Sequence, residues 1–383
     1  MTGRIYLDYA ATAPLLPEAR EAMAPWLERE HGNPSSLYEE GRKAKEAIDA
    51  AREVVASALG CLFGEVVFTS SGTEACNLAM VGTAIANASD RRRYLVPASE
   101  HHSVVNTRPL VERLGCEWEG VNVDELARPD IHELFDAIGE DAFLVAAMHA
   151  NNELGTVTDV AEVAELAHHL GAIVFCDAVQ TFPWCMGERW RVDDLGADLV
   201  AVAAHKLGGP KGVGALYVRA GTPISPTALG GGQEREMRAG TENVAAIVGF
   251  AAALRAVADD LEFDAKRARA RDAFRRALTE QDTPPLHFTV EDEPCLPGHC
   301  HLGFEGVSAE SLLILLDRTG VAASAGAACS SGSIEPSHVL LACGWGAEAD
   351  KGVRFTFGAQ TTVEAATEAA RRVAEAARRI GST

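Results

Sequence analysis

Two turns in the 383-residue chain carry reactive side chains directly after apolar runs typical of buried strands. Asp177 ends one run, with Gln180 shortly after it, whereas His205 and Lys206 leave a second run and enter a glycine-rich loop. Ligands gather at the carboxyl ends of parallel strands, where a carboxylate can hold the protonated nitrogen of a pyridine ring. A lysine in apolar surroundings loses its proton readily, as a Schiff base requires. Taken singly, each residue also fits a turn cap or a solvated loop.

A third turn, from Ser71 through Gly72 and Thr73 to Glu74, joins a β-rich run to a helical one. At such a junction the helix dipole and the first backbone N–H groups form an anion site. Ser71 and Glu74 also fit a capping box, and that purely structural interpretation is equally open on these residues alone. The stretch has neither the G-x-G-x-x-G pattern of dinucleotide-binding loops nor the G-K-[ST] ending of a Walker loop. A phosphate site of another kind is the functional interpretation.

One cysteine lies in a stretch that cannot bury it in an apolar core. Residues 324–333 are Ala, Gly and Ser apart from Cys329, whereas Cys176 belongs to an apolar run and fits a structural position. Reactivity of a thiol requires access and thiolate character, and a loop of small residues offers access. An incidental thiol is the alternative interpretation.

Composition excludes several classes of protein. The formal net charge is −21, from 34 basic and 55 acidic residues, which argues against a nucleic-acid-binding surface. Apolar runs fall far short of the ~20 residues that a membrane span needs, and the N-terminus has no apolar segment typical of a secretory signal. Nine cysteines is an odd number, so we expect no disulfide framework and a cytoplasmic location.

The pattern of elements predicts how these residues are positioned. Up to about residue 218, short β-rich runs alternate with helical ones, including helices expected at 102–114 and 159–170. Such alternation predicts an α/β fold with a mainly parallel sheet covered on both faces. One long helical stretch is expected at 243–280, followed by a proline-rich connector, short strands and further helices. This pattern after the long helical stretch predicts a smaller α+β domain.

Taken together, these motifs resemble the pyridoxal-phosphate enzymes of aminotransferase fold type I, within them the class V aminotransferases, and specifically the cysteine desulfurases. The resemblance also rests on residues 6–12 (YLDYAAT), 32–36 (GNPSS), 100–104 (EHHSV), 149–155 (HANNELG), 238–243 (RAGTEN) and 353–355 (VRF). It implies a large cofactor-binding domain (14–255) with a seven-stranded sheet. It also implies a small domain (1–13 and 256–383) that carries the cysteine loop.

The resemblance implies a role for each candidate residue, with pyridoxal 5'-phosphate as the cofactor. Lys206 would hold the cofactor covalently, Asp177 would pair with the ring nitrogen, and Gln180 would bind the ring hydroxyl. His101 would stack on the ring and move protons, whereas His102 would only begin a helix. The remaining expected contacts are Gly72, Thr73, His205 and a partner subunit's Thr241 at the phosphate, and Asn152 and Arg354 at the substrate carboxylate.

The implied activity converts L-cysteine to L-alanine and leaves a persulfide on Cys329 for a sulfur-acceptor protein, in a homodimer with shared active sites. The acceptor pathway stays open among iron–sulfur assembly, tRNA or DNA thiolation and biosynthesis. Another class V reaction is the alternative: selenocysteine lysis, aminotransfer or epimerisation. Ala203 and Ala327 replace hydroxyl residues that are usual in the family. Loss of one hydroxyl donor at 203 would cost ~1–3 kcal/mol of cofactor binding if nothing replaces it.

A cluster of Cys295, His299, Cys300 and His301 suggests a metal site. We expect 299–304 to form a strand, in which neighbouring side chains point to opposite faces. Tetrahedral ligation by three consecutive residues is then awkward, so no metal is expected.

Overall fold

The computed structural model describes residues 3–139, 141–291, 293–325 and 336–381, so Cys329 and Ala327 lie outside the described part of the chain. Its strands are β1 (Ile5–Tyr6), β2 (Val66–Thr69), β3 (Arg93–Pro97), β4 (Glu117–Val121), β5 (Ala142–Met148), β6 (Ile173–Asp177), β7 (Trp184–Cys185), β8 (Glu188–Arg189), β9 (Leu199–Ala203), β10 (Gly214–Val218), β11 (Leu286–Phe288), β12 (His299–Phe304), β13 (Val321–Ala322) and β14 (Val353–Thr356). Its helices are α1 (Pro17–Glu28), α2 (Glu39–Leu59), α3 (Gly72–Ala86), α4 (His102–Val105), α5 (Arg108–Arg113), α6 (Ile131–Ala137), α7 (Val160–His169), α8 (Val192–Leu195), α9 (Val244–Asp259), α10 (Phe263–Thr279), α11 (Ala309–Thr319), α12 (His338–Ala342) and α13 (Val363–Gly381).

A seven-stranded sheet in the order β2-β10-β9-β6-β5-β3-β4 confirms the predicted α/β fold. Strand β10 runs antiparallel to both of its neighbours, and the other paired strands run parallel. Because β6 and β9 are parallel neighbours, with Asp177 opposite Ala201, their carboxyl ends meet at one edge of the sheet. The turns that carry Asp177 and Lys206 therefore lie side by side.

Helices cover both faces of this sheet, which explains why its central strands read as continuous apolar runs. Every residue of β5 and β9 is buried. On β6, Val174 packs into the core that includes α2, α7 and α9, whereas the next residue, Phe175, packs into the core that includes α3. The alternation of adjacent side chains between two cores holds the strand in one register.

A separate hydrophobic core lies around the antiparallel sheet β11-β12-β14 and helices α10, α11 and α13. Phe274 and Phe355 are fully buried in it, with ring centroids 4.9 Å apart. Leu7 belongs to the same core, because β1 pairs in parallel with β13. The first residues of the chain are thus built into a core formed mostly by its last third.

Two local predictions were wrong, and one element was not predicted. The single helix expected at 102–114 is two helices, α4 and α5, because Pro109 has no N–H for the helical bond to residue 105. The stretch at 243–280 is also two helices, and Asp260 separates them by accepting bonds from the Glu262 backbone N–H and the Lys266 amine. The β7–β8 hairpin was not expected. In the described ranges, none of the helices has the length and apolar character needed to cross a bilayer.

Candidate active site

A cavity of about 330 Å³ opens at the edge of the sheet where β6 and β9 end. Nine of the eleven residues expected in the site line it. They are Gly72, Thr73, His101, Asn152, Asp177, Gln180, His205, Lys206 and Arg354. Residues far apart in sequence therefore meet around one space, as the resemblance implied.

One end of the cavity is formed by the start of α3. The Ser71 hydroxyl accepts the Glu74 backbone N–H at 3.1 Å, which confirms the serine cap, whereas the Glu74 carboxylate accepts the backbone N–H of Ser70 rather than that of Ser71. The first backbone N–H groups of a helix have no partner within it and attract anions, and Gly72 and Thr73 present theirs beside the cavity. A Cβ on Gly72 would lie 2.9 Å from Val179 and 3.2 Å from Ala203, so only glycine fits there without displacement.

His205 also lines the cavity. One of its ring nitrogens, Nδ1, is 3.2 Å from the hydroxyl of Thr12. Burial, followed by the charges of Lys206 and Lys211, lowers the pKa of His205 to about 4. The ring is therefore neutral near pH 7 and offers one N–H donor rather than a full charge.

Asp177 is held rigidly at the carboxyl end of β6. One carboxylate oxygen accepts the backbone N–H of Val179 at 3.0 Å, and the other lies 3.5 Å from the thiol of Cys76. The residue is only 6% exposed. A fixed, buried carboxylate with oxygen lone pairs to spare is suited to a protonated ring nitrogen.

The Lys206 amine and the Gln180 amide share a backbone partner. Lys206 Nζ donates to the carbonyl oxygens of Ala10 and Ala11, the latter at 3.2 Å, and Gln180 Nε2 donates to the Ala10 carbonyl at 3.0 Å. These carbonyls belong to the segment after β1, so the N-terminal segment forms part of the cavity wall.

His101 caps α4, and His102 is the first residue of that helix, as expected. The ring Nδ1 of His101 is 2.8 Å from the Ser103 hydroxyl and accepts the Ser103 backbone N–H at 3.1 Å. Burial is the main cause of its lowered pKa; the charge of Asp177 opposes this effect and that of Lys206 adds to it. A neutral imidazole beside these two charged groups can both accept and donate a proton.

Arg354 and Asn152 line the cavity with unused hydrogen-bonding atoms. The Arg354 guanidinium donates to the Asn152 carbonyl at 2.7 Å and to the Asp8 carboxylate at 2.8 Å. Its Nε and the Asn152 side-chain oxygen are buried and have no hydrogen-bond partner among the described residues. Buried polar groups are normally satisfied, so these atoms indicate where a polar ligand binds.

Of the two other expected residues, Cys329 lies outside the described part of the chain. Thr241 is exposed and does not line the cavity of its own chain. The loop before Thr241 is nevertheless firmly held, because the buried guanidinium of Arg52 binds the Glu234 carboxylate at 2.6 Å. Glu234 and the two residues after it have positive φ angles of 45°, 57° and 66°. Such a backbone costs ~1–3 kcal/mol per residue and persists only where its surroundings impose it.

Sequence reasoning missed several residues around the site. Ala10 and Ala11 supply carbonyl oxygens, Asp8 pairs with Arg354, and Cys76 contacts Asp177. The first three lie in the stretch 6–12, which supported the resemblance without a role being assigned to any of its residues. For Cys76, inside the helical run that follows the Ser71 turn, the sequence carried no signal.

The donor set fits pyridoxal phosphate. Helix-terminal N–H groups and a neutral imidazole suit the phosphate, Asp177 suits the ring nitrogen, and the Lys206 amine suits an aldehyde. The tight contact between Gly72 and Ala203 leaves the helix backbone itself as the anion cradle. Backbone N–H groups there can take the place of the hydroxyl that position 203 lacks.

The cysteine and histidine cluster is divided, because Cys295 precedes β12 and its thiol lies 3.3 Å from the Leu154 carbonyl oxygen. Residues 299–304 form a strand, as expected, and Cys300 packs among the apolar residues of that core. His301 Nδ1 is 2.6 Å from the Thr289 hydroxyl. Among the described residues, no group of three or more His, Cys, Asp or Glu is placed to hold a metal ion.

Comparison with known proteins agrees with this geometry. The family model for class-V aminotransferases matches residues 5–367. A protein named cysteine desulfurase IscS from Dictyoglomus turgidum is 41% identical over 95% of this chain and 92% of its own. A putative cysteine desulfurase IscS 1 from Bacillus subtilis is 38% identical over 98% of this chain and 99% of its own.

Solved structures show the same similarity. A NifS-like protein superposes with a TM-score of 0.89 at 31% identity, over 97% of this chain and 98% of its own. A structure described as SspA in complex with cysteine has a TM-score of 0.82 at 30% identity, over 94% of this chain and all of its own. From the family match, the relatives and the cavity, the chain belongs to the class-V aminotransferase family.

Proposed function

We propose that this protein is a pyridoxal-phosphate-dependent cysteine desulfurase, which converts L-cysteine to L-alanine and retains the sulfur as a persulfide on Cys329. The observation that carries the proposal is the single cavity shared by Lys206, Asp177, His101 and Arg354. The cysteine desulfurases among its relatives, and the cysteine-bound SspA structure, support this choice within the family.

Gly72, Thr73 and His205 would bind the phosphate of the cofactor, Asp177 would pair with its ring nitrogen, and Lys206 would hold its aldehyde. When bound, it supplies an electron sink for the negative charge that develops at the Cα atom of the amino acid. The Asp177 carboxylate would stabilise a positive ring nitrogen by a charge-assisted hydrogen bond.

The amino acid would be bound by two residues with unused hydrogen-bonding atoms. Arg354 and Asn152 bind its carboxylate, and this contact satisfies the buried donor Arg354 Nε. The Lys206 amine accepts the proton from Cα, and the neutral His101 imidazole moves protons near the amino acid's sulfur. Both groups line the cavity, so no long-range proton transfer is needed.

The sulfur leaves the substrate by attack of the Cys329 thiolate. The Cβ–S bond of cysteine breaks, an S–S bond forms to Cys329, and the carbon fragment gains a proton and departs as alanine. No external oxidant or reductant is required, because one thiol plus cysteine gives one persulfide plus alanine. A two-step covalent route of this kind is ordinary nucleophilic catalysis.

The protein acts as a homodimer in which Thr241 of the partner subunit joins the phosphate site. Its exposure on the surface and the imposed conformation of the preceding loop support this arrangement. A sulfur-acceptor protein then receives the persulfide sulfur. The odd number of cysteines, with free thiols at the eight that the structure describes, supports a cytoplasmic location.

The chain divides into a large cofactor domain (14–255) and a small domain (1–13 and 256–383). Their separate hydrophobic cores support the division, and Leu7 packs in the small-domain core. Helix α9 continues past residue 255 to Asp259, so the connection between the domains is helical at that point.

The decisive experiment measures alanine formation from L-cysteine by the purified holoenzyme and by Cys329→Ala. We expect the variant to keep the visible absorbance of the bound cofactor and to lose alanine formation. Cys61→Ala is the matched control, because burial raises the pKa of that thiol to about 12 and leaves it unreactive. Unchanged turnover in Cys329→Ala would refute the persulfide route and favour aminotransfer or epimerisation. A preference for selenocysteine over cysteine would instead indicate a selenocysteine lyase.

A further inference from the structure

A buried hydrogen bond joins the substrate-binding loop to the polypeptide that follows residue 335. The Ser337 hydroxyl donates to the Glu153 carboxylate at 2.6 Å, and both residues are at most 2% exposed. Glu153 directly follows Asn152, whose backbone carbonyl accepts from Arg354. The loop proposed to bind the substrate carboxylate therefore also binds the start of α12.

A second set of contacts fixes the same point of the chain. His338 Nε2 is 2.9 Å from the backbone carbonyl of Glu100, and the His338 ring stacks on His102 with centroids 4.4 Å apart. Both contacts are made to the stretch that contains His101. The beginning of α12 is thus held against two loops that line the cavity.

The other side of the 326–335 stretch is also tied to the site. The backbone N–H of Ser324 donates to the Arg354 carbonyl at 3.1 Å, and the Arg354 N–H donates to the Ser324 carbonyl at 2.7 Å. Cys329 lies between Ser324 and Ser337 in the sequence. Arg354, the partner of Ser324, lines the cavity, and Glu153, the partner of Ser337, directly follows the cavity residue Asn152.

The two anchors, at Ser324 and at Ser337, differ in whether a side-chain substitution can remove them. The Ser324 anchor consists of backbone hydrogen bonds, which side-chain substitution leaves in place. The Ser337 side chain is held by one carboxylate, next to the separate contacts of His338. Burial raises the pKa of Glu153, while the Ser337 hydroxyl and the charges of Arg354 and His102 lower it. Removing either partner of such a buried bond leaves the other unsatisfied.

We propose that Glu153 is a positioning residue for the reacting thiol. By holding Ser337 it fixes the first described residues that follow Cys329 in the chain, so the rate of sulfur transfer depends on Glu153 while the affinity for the amino acid does not. This inference rests on the proposed desulfurase function. It assigns Glu153 no contact with substrate or cofactor.

The experiment compares Glu153→Ala, Glu153→Gln and Ser337→Ala with wild-type holoenzyme. Amino-acid affinity is read from the change in visible absorbance on titration with L-alanine, and sulfur transfer from alanine formed in a single turnover of L-cysteine. Glu153→Ala and Ser337→Ala should each slow the single turnover at least about tenfold, because small displacements of a nucleophile are costly. The absorbance titration should be unchanged.

Two comparisons make the test specific. Glu153→Gln keeps an oxygen acceptor for the Ser337 hydroxyl and should restore most of the rate. Ser308 caps α11 as Ser337 caps α12, so Ser308→Ala is the matched control for loss of a helix cap and should transfer sulfur normally. The double variant Glu153→Ala/Ser337→Ala should be no slower than either single variant, since both remove the same bond.

Normal transfer in Glu153→Ala, or an equal loss of amino-acid affinity and transfer, would overturn the inference. Additive losses in the double variant would overturn it as well. Failure of the proposed function has a different signature, because wild-type protein would then form no alanine or Cys329→Ala would still form it.

Discussion

Replacing Arg354 by lysine tests the proposed carboxylate site while keeping its positive charge. The arginine fork holds Asn152 and Asp8 and leaves Nε free of partners among the described residues, whereas an ammonium cannot reproduce this planar set of donors. Loss of one hydrogen bond to a charged group costs ~1.5–3 kcal/mol. At ~1.4 kcal/mol per factor of ten, we expect KM for L-cysteine to rise about 10- to 150-fold.

Initial rates of alanine formation over a range of cysteine concentrations give KM and kcat separately. Because a carboxylate contact is made equally in the ground and transition states, the effect should fall mainly on KM. Arg372→Lys is the control, since Arg372 is also buried but binds Glu368 and the Thr319 carbonyl in the small-domain core. An unchanged KM in Arg354→Lys, with the cofactor still bound, would refute the assignment of Arg354 to the substrate.

Three further predictions address the cofactor and the fold. Gly72→Ala should weaken retention of the cofactor on dialysis, because its Cβ would lie 2.9 Å from a side chain; Gly64→Ala, with no atom within 4 Å of the new Cβ, should not. Lys206→Ala should lose the visible absorbance of the bound cofactor, whereas substitution of the exposed Lys211 should keep it; a persisting band would show that another lysine anchors the cofactor. Burial lowers the pKa of His149 from 6.5 to about 4, so its neutral form stabilises the fold above pH 6.5 and this contribution disappears as the pH falls towards 4. Between pH 6.5 and about 5, wild-type protein should lose ~2 kcal/mol more unfolding free energy in urea than His149→Gln, and parallel pH profiles would contradict this.

The sequence predicted those parts of the site whose position follows from the local pattern of residues and the order of strands along the chain. Asp177 and Lys206 each follow a short apolar strand, and parallel neighbours bring the ends of such strands together whatever the details of packing. The turn at Gly72 was predictable for the same reason, because a serine cap and a glycine mark a strand-to-helix junction. These features depend on only a few consecutive residues.

Contacts between distant segments were beyond such reasoning. Nothing near Glu153 indicates that its partner is Ser337, and nothing near Arg354 indicates that Asp8 will neutralise it. Both pairs form only after the two cores have packed, so they depend on the tertiary fold rather than on periodicity. The breaks at Pro109 and Asp260 could have been predicted, because each residue interrupts a helical pattern by a known mechanism.

The amino-terminal segment connects the small-domain core to the cavity at the edge of the large sheet. Its first strand is hydrogen-bonded beside β13, Leu7 is embedded among small-domain side chains, and the carbonyl of Ala10 receives both Lys206 and Gln180. Deleting residues up to Ala11 would therefore do more than shorten an end. It would remove a strand partner, open a hole in one core and remove two carbonyl acceptors of the Lys206 amine, so engineered variants must preserve this stretch.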